Sequence, residues 1–133
     1  MTSRPLKNNN NVVYDCHFHV VFCTKYRRDV LTPEVAARLT EIATEVAAER
    51  DFTIEEIKVS ADHVHLLIDV DPQYGIHRAV KQIKGRTSRF LRAEFTHITS
   101  RIPTLWTNSY FVATAGGAPL DAIKTYIQNQ NDV

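Results

Sequence analysis

Little in this chain could staple or anchor it. Only two of its 133 residues are cysteines, Cys16 and Cys23. They fall seven residues apart in one apparent strand, so their side chains face opposite ways, roughly 23 Å apart along it. No bridge can join them there, which fits a reducing compartment. No apolar run approaches the length of about 20 residues that spans a membrane. Nothing reads as a secretory signal, and the cytoplasm is the expected location. Neither charge sign dominates: 16 Lys and Arg stand against 15 Asp and Glu, which argues against a protein that coats nucleic acid indiscriminately. Internal repeats and a second domain are also missing. The remaining composition is that of an ordinary globular chain, long enough to bury a core unaided. One domain over residues 1–133 is expected, with 1–11, rich in Asn, as a flexible lead-in.

Hydrophobic periodicity then orders the chain. Residues 14–23 alternate as a first strand: Cys16, Phe18, Val20 and Phe22 on one face, Asp15, His17, His19 and Val21 on the other. Thr32 is placed to cap a helix that opens with Pro33 and repeats Val35, Leu39, Ile42 and Val46 to about Arg50. Residues 52–60 and 63–70 read as a hairpin around Ala61-Asp62. A second helix is expected over 74–95, with Ile76, Val80, Ile83, Thr87, Phe90 and Leu91 as its core stripe. Gly85 inside it costs about 1 kcal/mol relative to Ala, and so marks a close approach of ligand or partner. Residues 96–103 read as loop and 109–114 as a fourth strand. After Gly116-Gly117 and Pro119 comes a last helix over about 120–129, with Ile123 and Ile127 buried and Trp106 upstream as packing. The order βαββαβ plus a terminal helix is an α+β, ferredoxin-like split βαβ arrangement. Its first and third strands are central, and both long helices lie on one face of an antiparallel sheet.

That alternation separates chemistry from core. Val64, Leu66, Ile68 and Val70 should face the helices; His63 and His65 should face the open side, beside His17 and His19. Two neutral imidazoles at i and i+2 can share one divalent cation. Two ligands underfill such a site, so a third must come from elsewhere. Tyr126 and Gln130, one turn apart on the terminal helix, project together. A phenol is a competent nucleophile for phosphodiester exchange: a phosphotyrosine keeps the energy of the broken bond, so rejoining needs no ATP. A second signal is charge. Between Asp71 and Glu94 there is no acidic residue, while Arg78, Lys81, Lys84, Arg86, Arg89 and Arg92 line the second helix, a stripe suited to one stretch of phosphate backbone.

These segments jointly resemble one family. Asp62-His63-Val64-His65-Leu66-Leu67 is similar to the His–hydrophobic–His (HUH) motif of the single-tyrosine transposases of small insertion sequences. Cys23-Thr24-Lys25-Tyr26-Arg27-Arg28, Lys81-Gln82-Ile83-Lys84-Gly85 with Ser88, Leu105-Trp106, Ser109-Tyr110-Phe111-Val112 and the run 123–130 resemble the family's other blocks, in order. Ala61 departs from the proline frequent before that Asp, and Gly116-Gly117-Ala118 is individual. The resemblance implies His63 and His65 as metal ligands with Gln130 as the third, Mg²⁺ or Mn²⁺ as the metal, and Tyr126 as the nucleophile on single-stranded DNA. It implies hairpins at element ends as ligands and a homodimer in which the mobile tyrosine helix of 118–133 completes the partner's site. Lys81, Lys84, Arg86 and Arg89 are the candidate backbone contacts, joined by His19, Lys25 and Arg27. Domesticated relatives linked to repeated palindromes, relaxases and replication initiators share this chemistry. A non-catalytic nucleic-acid-binding module is the alternative of a different class, disfavoured by the absence of paired surface aromatics on the sheet. A small hydrolase is disfavoured by the absence of acidic ligands.

Overall fold

The computed structural model of the protein describes residues 6–116 and 120–133. Its element order is β1 (Lys7–Asn8), β2 (Val13–Tyr14), β3 (His17–Cys23), α1 (Pro33–Glu49), β4 (Phe52–Val59), β5 (His63–Val70), α2 (Ile76–Glu94), α3 (Thr96–Arg101), β6 (Phe111–Thr114) and α4 (Leu120–Gln128), with a 3₁₀ turn at Lys25–Arg27. The main sheet runs β4-β5-β3-β6, antiparallel throughout. The expected first and third strands are central, and the fold is the expected α+β arrangement with its added C-terminal helix.

The core follows the predicted faces. Val64, Leu66, Ile68 and Val70 are buried with Val20 and Phe22 beneath Val35, Leu39, Ile42, Val46, Val80 and Ile83. Thr32 caps α1 by accepting from the Val35 amide at 3.3 Å, an arrangement worth about 1 kcal/mol. Trp106 meets Phe22 edge-on at 4.6 Å between ring centres and donates from its indole to Thr87 Oγ1 at 3.0 Å. It packs, as expected.

Several expectations are corrected. Part of the supposed lead-in is ordered: β1 pairs with β2, and Asn9 Oδ1 accepts from the amides of Asn11 and Val12 at 2.7 Å, so asparagine serves here as a turn former. The first strand is interrupted at 15–16. The second helix starts two residues late, because Asp71 folds the chain into a turn that accepts from Gln73, Tyr74 and Gly75; Gly75 takes φ +92°, a backbone state that glycine tolerates. Phe90 is exposed, whereas Ala79, not among the expected stripe, is buried. The loop expected at 96–103 contains α3, seated by fully buried Ile98. A Cβ on Gly85 would meet nothing within 4 Å, so no close approach within the chain requires that glycine. Gly117, Ala118 and Pro119 lie outside the described residues.

Lys84 joins α2 to the segment before β6. Its ammonium donates to the carbonyls of Thr107 at 2.7 Å, Ser109 at 3.1 Å and Asn108 at 3.4 Å. Burial pushes it down to about 8, against the stabilising effect of those carbonyls on the charged form. The folded pKa lies below the unfolded value, so above about pH 8 the folded chain releases this proton while the unfolded chain keeps it. Stability therefore rises with pH in that window. Cys23, held at about 11 by burial, opposes the trend as the unfolded thiol ionises toward pH 9, but more weakly than Lys84 over this window. Urea unfolding should show wild type gaining stability between pH 8 and 9, a gain that Lys84→Met lacks; parallel pH dependences would refute the assignment.

Candidate active site

Strand register decides what reaches the open face. Pairing of β3 with β5 sets His17 opposite Asp69, His19 opposite Leu67, Val21 opposite His65 and Cys23 opposite His63. Side chains alternate, so these residues share the face away from the buried Val20, Phe22, Val64 and Leu66. His63 and His65 are half-buried there. Asp62 Oδ1 lies 2.8 Å from His63 Nδ1. A carboxylate can only accept, so Nδ1 donates, and Nε2 is the nitrogen left for a metal. That is the usual support of a metal-ligating imidazole. His65 Nε2 lies 3.0 Å from His19 Nδ1. Burial first, then the charge of His19, hold His65 below the ordinary histidine range, which keeps it neutral at physiological pH. His19 is thus engaged with His65, while His17 sits toward the other end of the strand.

The terminal helix brings its phenol to this face. Ile123 is the buried anchor of α4, while Ile127, the other half of the expected pair, is only half-buried. The Tyr126 ring rests against Phe111 at 5.9 Å between centres. Its hydroxyl lies 2.9 Å from Ser109 Oγ, which in turn donates to Gln130 Oε1 at 3.4 Å. Gln130 lies just beyond the helix, and its amide donates to the Ile127 carbonyl at 3.1 Å. The structure therefore brings Tyr126 and Gln130 together through Ser109. Burial raises the phenol pKa; hydrogen bonds from Ser109 and Thr107 pull it back, and the Cys23 thiol raises it further. Cys23 is the cross-strand partner of His63.

Arg27 closes the circle. Its Nε and Nη2 lie 3.2 and 3.1 Å from Asp62 Oδ2, and Nη1 donates to Asn131 Oδ1 at 2.9 Å. Tyr26 and Arg27 both take left-handed backbone angles, φ +57° and +52°, each costing about 1–2 kcal/mol in a residue with a Cβ. The Tyr26 amide compensates by donating to the Val133 carbonyl at 2.9 Å.

Of the remaining candidates, Lys81, Arg86 and Arg89 line one cavity of about 850 Å³ along α2 with Gly85 and Glu49. Lys25 sits over the Tyr26 ring at 5.1 Å. Arg86 pairs with Glu49 at 2.8 Å, and Arg89 lies beside Phe90 at 5.7 Å. Lys81 and Lys84 line a cavity of about 380 Å³ with His77, Trp106 and Tyr110. His17, Glu55 and Asp69 form a group able to hold a metal. The Lys7 ammonium already lies 3.3 Å from Asp69 Oδ2, so this group is compensated in place. Sequence reasoning gave no role to Asp62, Ser109 or Asn131. A carboxylate next to a candidate ligand was the one local signal; the others are joined by folding alone.

Removing the Ser109 hydroxyl takes away a bond that lowers the phenol pKa. Ser109→Ala should move one tyrosine further upward in an ultraviolet pH titration, relative to wild type. An unchanged profile would mean that the contact does not govern Tyr126.

Comparison with known proteins gives the chain's family. Residues 12–130 match the family described as Transposase IS200 like. The chain is 33% identical over 129 residues to the ISDra2 transposase TnpA of Deinococcus radiodurans, covering 96% of this chain and 92% of that one. It is 27% identical over 119 residues to the transposase for insertion sequence element IS200 of Salmonella typhimurium, covering 88% and 78%. A crystal structure of a transposase candidate from Deinococcus radiodurans superposes with a TM-score of 0.86 at 33% identity, covering 96% of this chain and 99% of that one. A tyrosine transposase solved with a REP hairpin superposes at 0.57 with 13% identity, covering 91% and 67%, a likeness of fold alone. With a family match over nearly its whole length, the chain belongs to the IS200-like transposases of small insertion sequences.

Proposed function

We propose that this transposase cuts and rejoins single-stranded DNA through Tyr126, with His63, His65 and Gln130 holding a Mg²⁺ or Mn²⁺ ion. The observation that carries this reading is that one sheet face bears a carboxylate-oriented imidazole while the terminal helix holds a phenol tied to Gln130 through Ser109. The donor set fits: two imidazole nitrogens and an amide oxygen leave positions for water and phosphate. When bound, the cation polarises the scissile phosphate and stabilises the departing oxygen.

The chain's own residues do the rest. The Tyr126 hydroxyl passes its proton to water as its oxygen attacks phosphorus, the bond to the 3′-oxygen breaks, and that oxygen takes up a proton from water. The products are a 5′-phosphotyrosine and a free 3′-hydroxyl. Attack by a 3′-hydroxyl on the phosphotyrosine reverses the sequence without ATP. The half-exposed His63, His65 and Tyr126 leave the site accessible to a polymer, which an enclosed pocket would reject. DNA hairpins are the ligands to test first, with Lys81, Arg86 and Arg89 on α2 as candidate backbone contacts.

The working unit we propose is a homodimer in which the tyrosine helix can also serve the partner's histidines, with edge strand β6 as a candidate seam. Tyr126→Phe should abolish the protein–DNA conjugate on denaturing gels and leave hairpin binding intact. A conjugate persisting in that variant would move the nucleophile elsewhere. His65→Ala should remove metal-dependent cleavage without unfolding the domain. Mixing Tyr126→Phe with His63→Ala chains should restore part of the cleavage if sites are shared; failure to rescue would confine each site to one chain.

A further inference from the structure

We infer that Arg27 is the positioning residue of this site: it acts through Asp62 and Asn131 to fix His63 and Gln130 relative to each other, rather than by touching DNA. The inference rests on the proposal that those two residues share one cation.

Three observations carry it. First, all three guanidinium nitrogens are engaged, leaving two of its five N–H donors free. Nε and Nη2 reach Asp62 Oδ2, and Nη1 reaches Asn131 Oδ1. Its side chain is only 25% exposed, a poor posture for a phosphate contact. Secondly, each partner adjoins a candidate ligand in sequence. Asp62 precedes His63 and holds its Nδ1 through the other carboxylate oxygen, at 2.8 Å. Asn131 follows Gln130. One planar fork therefore links strand β5 to the C-terminal tail, two segments that no covalent path joins closely. Thirdly, the backbone of this turn is built around the same two segments. Thr24 donates from its amide to the Asp62 carbonyl at 3.0 Å, and Tyr26 donates to the Val133 carbonyl at 2.9 Å. Left-handed angles at Tyr26 and Arg27 persist only where surrounding contacts over-determine them.

Lysine cannot replace this geometry. Its ammonium is a point charge on a flexible stem, without the fixed spread of donors that spans both partners. Support of this kind around a metal ligand commonly changes affinity about ten- to hundred-fold when removed. A phosphate contact behaves differently: its loss weakens DNA binding and lowers the salt slope by about one.

The test uses the full chain with Mn²⁺ alone, titrated by electron paramagnetic resonance, and separately a DNA stem–loop bound over a salt series. Arg27→Ala and Arg27→Lys should both lower Mn²⁺ affinity about ten- to hundred-fold, with stem–loop affinity and salt slope unchanged. Asn131→Ala, which removes only one arm, should lower Mn²⁺ affinity while keeping the wild-type circular dichroism spectrum, and so guards against a folding artefact. Unchanged Mn²⁺ affinity with a reduced salt slope would overturn the inference in favour of phosphate contact. Full recovery by Arg27→Lys would overturn it in favour of simple charge. His63→Ala is the reference: if it abolishes Mn²⁺ binding and the Arg27 variants do not, only this inference falls. If it leaves Mn²⁺ binding intact, the proposed metal site falls and this inference with it.

Discussion

The pairing register of β3 against β5 is the constraint on which the rest depends. Side chains alternate strictly along paired strands, so a slip of one residue would exchange the faces. Val64 and Leu66 would then meet water and the imidazoles would be driven under the helices. The apolar face prevents this. Burying Val20, Phe22, Val64, Leu66 and Ile68 together stabilises one register, at roughly 1.5–3 kcal/mol for each large side chain withdrawn from water. Chemistry on the open face thus borrows its precision from the core behind it: His63 and His65 are held in place by the residues between and beyond them.

A second level of order lies at one end of the sheet. Four segments distant in sequence meet there: the turn after β3, the hairpin turn before β5, the connection between α3 and β6, and the tail after α4. Backbone bonds from Thr24, Lys25, Tyr26 and Leu31 to Asp62, Leu105, Val133 and Ala61 sew them together. Helix propensity and hydrophobic pattern have no part in this junction. Its strained residues, Tyr26 and Arg27, are tolerated because loops held this firmly can keep conformations that free loops abandon. Meanwhile Lys84 anchors the segment carrying Ser109 to α2. The phenol's hydrogen-bond partner is therefore fixed from the opposite, helical side of the sheet.

This division explains what could be read in the sequence. The strands, both long helices and the open-face position of His63 and His65 follow from periods of 2 and 3.6 residues, a local property of the chain. The cap at Thr32 and the packing of Trp106 were equally legible. The start of α2 was not, because Asp71 and Gly75 build a turn that periodicity does not register. α3 was hidden among threonines and serines that favour other structure, and only burial of Ile98 reveals its helix. In the site, the histidines were visible as a pattern, but Ser109, Asp62 and Asn131 matter through contacts across 17, 35 and 104 positions. Arg27 and Lys84 looked like surface cations because composition counts charge without showing what already surrounds it.

The resting state of the phenol follows from the same packing. A half-buried tyrosine with a raised pKa is protonated at neutral pH, and a protonated phenol is a poor nucleophile. Its hydroxyl also belongs to a closed set of hydrogen bonds with Ser109 and Gln130. On the proposed chemistry, the arrangement that docks Tyr126 stably is therefore not the one that reacts. In the proposed site the Gln130 oxygen would turn from Ser109 to the cation, leaving the serine hydroxyl to donate to the phenol alone and deepening the lowering that this bond already exerts. Metal capture and nucleophile activation would then be coupled through a single serine, and the hydrogen bonds that dock the tyrosine would be the ones that ligand binding redistributes.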